Sequence, residues 1–197
     1  MLLRSAECRF QYMKTNQKLI ICVLTGLPGT GKSTTSDILK SKLGKNWEIL
    51  HADDFNQQTF SKYGRDKKKW SEIRQYRPIL IGSEARSCLS QGKNVSIEGN
   101  LKDETEINNL SDSIRETFQN DFNLKIILLR GDFETIVKRC VLCRKEEPQY
   151  GGSNKEDNSR RYLNNVSIQE DIADVTVDVD GLDKEEIADE VLKQINS

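Results

Sequence analysis

A short stretch near the start of the chain constrains its fold more than any other feature. Residues 26–33 read GLPGTGKS, which fits the phosphate-binding pattern of two glycines with four residues between them, followed by Lys and Ser. An apolar run at 19–24 precedes this loop and a helical pattern at 32–43 follows it. In such a setting backbone N–H groups surround phosphate oxygens, and the helix N-terminus adds the positive end of its dipole. The sequence therefore predicts a site for the phosphates of a nucleotide.

Two side chains of this loop carry specific chemistry. Lys32 is expected to reach the β- and γ-phosphates, and the Ser33 hydroxyl is expected to hold Mg²⁺. The other predicted nucleotide-binding residues are the rest of the loop and the residue after it: Gly26, Leu27, Pro28, Gly29, Thr30, Gly31 and Thr34.

Five strand-like segments alternate with helical patterns along the chain. They cover about 19–24, 47–52, 93–100, 124–129 and 175–179, which predicts an α/β sandwich with a mainly parallel sheet. A length of 197 residues suits one domain with a small insert. We expect a flexible leader at 1–17, a domain at 18–197, an acceptor-site insert at about 55–92 and a lid at about 139–162.

Composition narrows the partners and the compartment. The 30 basic and 31 acidic residues balance, so no overall charge favours nucleic acid or an anionic membrane. The five cysteines are scattered, and neither a signal peptide nor an apolar run of membrane length is evident. These features predict a reducing, cytoplasmic setting and no membrane partner.

Carboxylates follow the second and third predicted strands. Asp53 and Asp54 end the second strand, with Phe55 after them, and Glu98 ends the third. The carboxyl ends of parallel strands meet at one edge of a sheet, the edge where the phosphate loop lies. Glu98 is therefore expected to hold Mg²⁺ or to orient its water. Each of these acids could instead cap a helix or turn.

Arginines are the remaining candidates. Arg74 and Arg77 lie in a basic, aromatic-bearing stretch after the acidic pair and are candidates to bind an anionic substrate. For any single residue of this stretch, a place on a solvated charged helix is the better explanation. Arg139 and Arg144 lie before a polar, glycine-bearing loop, and Arg160 and Arg161 lie after it. Arginines on a hinged cover can stabilise charge on a transferring phosphoryl group and exclude water.

The loop at 26–33, the Asp53-Asp54-Phe55 triplet, Glu98 and the arginine-bearing segment after the fourth strand together resemble the small P-loop kinases. That family includes nucleoside and nucleotide kinases, adenylylsulfate and gluconate kinases, and polynucleotide 5′-kinases. The resemblance implies a three-layer sandwich with a five-stranded parallel sheet of order 2-3-1-4-5, ATP with Mg²⁺ as cofactors, and an arginine-bearing lid. By the same resemblance Asp53 is the general base, Glu98 the metal-side acid, and Arg139 or Arg144 a lid arginine.

The expected function is an ATP-dependent kinase that phosphorylates a hydroxyl of a small or nucleoside-like acceptor, with Asp53, Asp54 and Phe55 beside the acceptor. One alternative is a nucleoside monophosphate kinase or another phosphate-acceptor kinase, in which Arg74, Arg77 or Arg86 would bind the acceptor phosphate. A polynucleotide 5′-end kinase is a further alternative. Another is a nucleotide-binding switch without transfer. A nucleic-acid partner is not favoured, because the lysines at 67–69 are more typical of a solvated face.

Overall fold

The computed structural model describes residues 18–63, 70–119, 121–144, 150 and 153–197, and within them the chain forms five strands and seven helices. The strands are β1 (Leu19–Thr25), β2 (Trp47–His51), β3 (Asn94–Glu98), β4 (Phe122–Arg130) and β5 (Val175–Asp178). The helices are α1 (Lys32–Leu43), α2 (Asp54–Tyr63), α3 (Trp70–Ser90), α4 (Glu104–Phe118), α5 (Phe133–Arg144), α6 (Lys155–Glu170) and α7 (Lys184–Ile195).

The strands form one sheet of order β2-β3-β1-β4-β5, and every neighbouring pair is parallel. This confirms the predicted fold class and strand order. Helices cover both faces of the sheet, so the central strand is buried on both sides and its sequence is a continuous apolar run.

Alternate residues of β1 belong to two separate cores. Cys22 and Leu24 pack with residues of α1, α5, α6 and α7 on one face, whereas Ile21 and Val23 pack with residues of α3 and α4 on the other. The three layers predicted by the family resemblance are therefore present. The carboxyl ends of β1, β2 and β3 come together between these layers, because Leu24 and His51 each lie in register with Glu98.

Helix α3 continues through a proline. It runs from Trp70 to Ser90 with Pro78 inside it, so no new helix starts at the proline. The buried packing of Pro78 offsets the backbone hydrogen bond that proline cannot donate.

The predicted leader, 1–17, lies outside the described residues, as do 145–149, 151 and 152 of the predicted lid. No helix among the described residues is long and apolar enough to cross a membrane.

The contact between α3 and α4 depends on a glycine. A Cβ at Gly82 would lie 2.8 Å from the carbonyl oxygen of Leu110 and 2.8 Å from Ser113 Cβ. The two helices therefore approach more closely than any other residue at this position permits.

Gly82→Ala should lower the free energy of unfolding by about 1–3 kcal/mol, because overpacking against the α4 backbone outweighs the helix propensity that alanine gains over glycine, about 1 kcal/mol. Ser87→Ala, at an exposed position of the same helix, should change stability by less than about 0.5 kcal/mol. Urea unfolding measures both changes. A more stable Gly82→Ala protein would contradict the close packing of α3 on α4.

Candidate active site

The loop between β1 and α1 has a backbone that only glycine adopts without strain. Gly26 has a φ of 148° and Gly29 a φ of 97°. A Cβ at Gly26 would lie 2.6 Å from the carbonyl oxygen of Leu129, and one at Gly29 would lie 2.4 Å from Cys140 Sγ. The loop therefore packs closely against the end of β4 and against α5, and neither Gly26 nor Gly29 has room for a side chain.

The start of α1 is suited to bind an anion. Gly31 is the N-cap, and no described side chain caps the helix, so its first N–H groups are available to phosphate oxygens. Thr30 is buried and fixes the turn, because its backbone N–H and its hydroxyl both donate to the Leu27 carbonyl, at 3.3 and 3.0 Å. Lys32 Nζ donates to the same carbonyl at 3.1 Å, which holds its ammonium group over the loop.

Three strand or helix ends meet at Glu98. This residue is only 8% exposed. Oε1 accepts a hydrogen bond from Ser33 Oγ at 3.2 Å, and Oε2 lies 3.0 Å from His51 Nδ1. The carboxylate is thus oriented from both sides, by the start of α1 and by the end of β2.

His51 was not identified from the sequence as a site residue. It is the last residue of β2 and pairs in register with Glu98 on β3, so the strand order dictates the contact. A titratable residue at the last position of a strand that ends beside the phosphate loop is the signal that identifies it.

Asp53 lies in the turn after β2, on the same edge of the sheet as Glu98. Ala52 N donates to the Glu98 carbonyl at 2.8 Å, which ties the turn after β2 to the end of β3. The Asp53 side chain is exposed and accepts a hydrogen bond from Asn56 Nδ2 at 3.0 Å. Asp54 is exposed in the first turn of α2, and Phe55 packs against the core under α3 and α4.

The arginines assigned to the acceptor are engaged within the protein. Arg77 Nη2 donates to the Asn100 carbonyl at 3.0 Å and lies 3.4 Å from Glu106 Oε2, in a largely buried ion pair. Arg86 Nη1 pairs with Glu116 Oε2 at 2.6 Å. The side chain of Arg74 lies outside the described residues.

Arg139 is the lid candidate that the structure describes. Its Nη2 donates to the carbonyls of Val179 and Leu182, at 2.6 and 2.9 Å, and so connects α5 to the segment between β5 and α7. The side chain of Arg144 lies outside the described residues. Arg160 and Arg161 pair with Glu156 and Asp157 one turn earlier on α6, both at 3.4 Å.

Two cavities adjoin the phosphate-binding loop. The Arg139 cavity, of about 340 Å³, is lined by Gly29, Gly31, Thr34, Thr35, Arg139, Cys140, Leu182, Lys184 and Ile187. The Gln169 cavity, of about 450 Å³, is lined by Leu27, Pro28, Asn100, Lys102, Asp103, Tyr150, Asn165, Ile168 and Gln169. They reach the loop at different residues, Gly29 and Gly31 for the first and Leu27 and Pro28 for the second.

An aromatic cluster supports the wall of the Gln169 cavity. Phe133, Tyr150 and Tyr162 have ring centroids 5.1–6.2 Å apart. Tyr150 Oη donates to the Pro28 carbonyl at 2.8 Å, a direct contact with the phosphate-binding loop. Burial raises the pKa of Tyr162 to about 12, so its hydroxyl stays protonated near neutral pH and donates to the Gly131 carbonyl.

Comparison with solved structures identifies the fold. A shikimate kinase from Acinetobacter baumannii, solved in complex with shikimate, is 20% identical, with a TM-score of 0.58 over 90% of this chain and 93% of that chain. A sugar kinase from Janibacter is 16% identical, with a TM-score of 0.59 over 91% and 95%. The tunicamycin resistance protein of Deinococcus radiodurans is 15% identical, with a TM-score of 0.65 over 91% and 96%.

In sequence, no family model and no curated protein matches the chain. The chain nevertheless has the fold of the small P-loop kinases over nearly its whole length, as the sequence resemblance implied.

Proposed function

We propose that this chain is an ATP-dependent phosphotransferase that moves the γ-phosphoryl group of ATP to a hydroxyl of a small acceptor. The observation that carries the proposal is the Ser33–Glu98 contact beside Lys32, with Asp53 on the same edge of the sheet. Phosphate-binding, metal-binding and proton-accepting groups are thereby within one site. The kinases among the structural neighbours support transfer over a switch without chemistry.

The nucleotide is assigned to the loop and to the Arg139 cavity. The loop N–H groups and Lys32 would hold the β- and γ-phosphates. The Arg139 cavity continues from Gly29, Thr34 and Thr35 toward the segment before α7 and offers room for the base and sugar. Its walls are partly apolar, which suits a nucleobase, as in most small-molecule sites.

Mg²⁺ fits the oxygen ligands present at the loop. A hydroxyl and a carboxylate oxygen 3.2 Å apart, Ser33 Oγ and Glu98 Oε1, are hard donors of the kind Mg²⁺ prefers. When bound there, Mg²⁺ would neutralise negative charge on the phosphates. In this arrangement His51 orients Glu98 from the second strand.

The transfer itself requires one bond to form and one to break. The acceptor hydroxyl oxygen bonds to the γ-phosphorus, the bond from that phosphorus to the oxygen bridging the β-phosphate breaks, and ADP leaves. The hydroxyl proton passes to the Asp53 carboxylate, which Asn56 orients. Lys32 stabilises the charge that develops on the phosphoryl oxygens.

The structure favours a hydroxyl acceptor over an acceptor phosphate. A nucleoside monophosphate kinase needs cations for that phosphate, whereas Arg77 and Arg86 are already paired with Glu106 and Glu116. A hydroxyl acceptor instead requires a group that accepts its proton, and the exposed carboxylate of Asp53 is such a group.

The proposal is tested by measuring ADP formation from ATP against a panel of sugars, nucleosides, nucleotides and DNA or RNA with free 5′-hydroxyls. We expect at least one acceptor to stimulate ADP formation and to become labelled from γ-³²P ATP. Slow ATP hydrolysis that no acceptor stimulates, together with a protein partner specific for one nucleotide state, would indicate a nucleotide-binding switch instead of a kinase.

His51→Ala should raise the Mg²⁺ concentration needed for half-maximal ATP binding about tenfold, because a ligand carboxylate loses the partner that orients it. His51→Asn, which retains a donor, should recover most of that affinity. Calorimetric titration of ATP at a series of Mg²⁺ concentrations measures the effect without turnover. Equal Mg²⁺ dependence of ATP binding in wild type and His51→Ala would show that His51 does not orient the Glu98 carboxylate.

A further inference from the structure

The residues that line the Gln169 cavity are mostly uncharged. Three of them are amides: Asn100, Asn165 and Gln169. Leu27, Pro28, Ile168 and Tyr150 add apolar and aromatic surface, and Ile168 is 47% exposed. Among the described lining residues, Lys102 and Asp103 contribute one charge of each sign. The described wall is therefore close to neutral and offers both hydrogen bonds and apolar contact.

Gln169 has a buried acceptor that the described residues do not use. The residue is 1% exposed, and its Nε2 donates to Asn100 Oδ1 at 3.0 Å and to the Leu101 carbonyl at 3.1 Å. Nε2 also donates to Thr25 Oγ1 at 3.2 Å, and these three acceptors fix the orientation of the amide. Its Oε1 is buried and accepts no hydrogen bond from any described residue. Buried oxygens in native proteins nearly always have a donor, so a donor from a ligand is the natural partner.

Two of the described guanidinium groups near the cavity are paired within the protein. Arg77 contacts Glu106 in a largely buried ion pair. Arg161 lies one turn before Asn165 on α6 and is held by Asp157 at 3.4 Å. A bound carboxylate or phosphate that used either arginine would have to break its pair, because a buried anion needs a partner of opposite charge. Among the described lining residues, the positive charge of Lys102 is balanced by the negative charge of Asp103.

We propose that the Gln169 cavity binds the phosphoryl acceptor and selects an uncharged, hydroxyl-bearing small molecule with an apolar portion. A hydroxyl or N–H of this molecule donates to Gln169 Oε1, and the apolar portion contacts Ile168 and Tyr150. The inference rests on the proposed function, since it makes the Leu27–Pro28 side of the loop the acceptor side. It names the substrate class of that site. Asp53, the proposed base, is not among the described lining residues, but it follows Ala52, which packs on Gly99 next to the lining residue Asn100.

Binding of a library of uncharged hydroxylated metabolites, each with its phosphorylated or carboxylated counterpart, tests the inference. Calorimetry with a non-hydrolysable ATP analogue present gives affinity without requiring transfer. At least one neutral compound should bind ten or more times as tightly as its anionic counterpart. Preferential binding of the anionic members, or of none, would overturn the inference.

Gln169→Leu should weaken binding of that neutral compound about tenfold, the value of one hydrogen bond. Gln91→Leu, at an exposed turn, is the matched control and should leave it unchanged. Because Gln169→Leu also removes three internal hydrogen bonds, Asn165→Arg provides a second variant at a partly exposed position. It should improve binding of the anionic counterpart at least fivefold. Unchanged affinities in both variants would overturn the inference.

The two proposals fail in different ways. If the neutral compound binds and responds to Gln169→Leu but is never phosphorylated, the cavity assignment stands and the kinase proposal is wrong. If transfer occurs only to anionic compounds, the kinase proposal stands and the neutral substrate class is wrong.

Discussion

Asp53→Asn should lower the rate of phosphoryl transfer about 10²- to 10⁴-fold while ATP still binds, because the variant has no general base for the acceptor proton. Asparagine keeps the shape of the side chain and its place beside Asn56. The loss should fall on kcat, since Asp53 lies outside the phosphate-binding loop. Single-turnover phosphorylation with ATP in excess measures it, and calorimetry measures ATP affinity separately.

Asp121→Asn is the matched control for this variant. Asp121 is an exposed carboxylate between α4 and β4, outside the candidate site. We expect its removal to change turnover less than threefold, the range of an ordinary surface substitution. If the two variants lose turnover equally, or if Asp53→Asn retains wild-type turnover, Asp53 is not the base and transfer proceeds without one.

Lys32→Met should lower kcat about 10²- to 10³-fold, as expected when one preorganised positive group is lost from a site of developing negative charge. Methionine retains the length of the side chain but neither the charge nor the donor that now contacts the Leu27 carbonyl. ATP affinity should fall as well, since Lys32 is assigned to the β- and γ-phosphates. Steady-state kinetics and calorimetry together separate the two effects.

Lys40→Met tests whether the loss of any positive charge from α1 lowers kcat. Lys40 is exposed near the other end of the same helix. Its loss should leave kcat unchanged, and neither variant should shift the unfolding midpoint enough to explain a loss of activity. A Lys32→Met enzyme with normal turnover would exclude Lys32 from transition-state stabilisation.

The fold could be predicted because its determinants are local in the sequence. The loop at 26–33 is contiguous, and the strand that precedes it is buried on both faces, so a continuous apolar run identifies it. Glu98 was recognisable because it ends a strand beside that loop. The strand order followed from the family resemblance rather than from the strands themselves.

The rest of the site depends on contacts between distant residues. Gln169 donates to the hydroxyl of Thr25, 144 residues away in the sequence, and no sequence pattern predicts this contact. Arg77 and Arg86 look like phosphate ligands in the sequence, yet their partners Glu106 and Glu116 lie 29 and 30 residues away. The role assigned to Asp53 stays a prediction that Asp53→Asn tests, and the roles assigned to Arg139 and Glu98 stay predictions.

Tyr150 connects the two substrates thermodynamically. Its hydroxyl bonds to Pro28 in the loop assigned to ATP, while its ring lines the Gln169 cavity assigned to the acceptor. A ligand that strengthens or breaks this bond changes the free energy with which the other ligand binds, and the coupling is reciprocal. Whatever factor ATP imposes on acceptor affinity, the acceptor must impose on ATP affinity, so order of addition leaves the ternary complex equally stable.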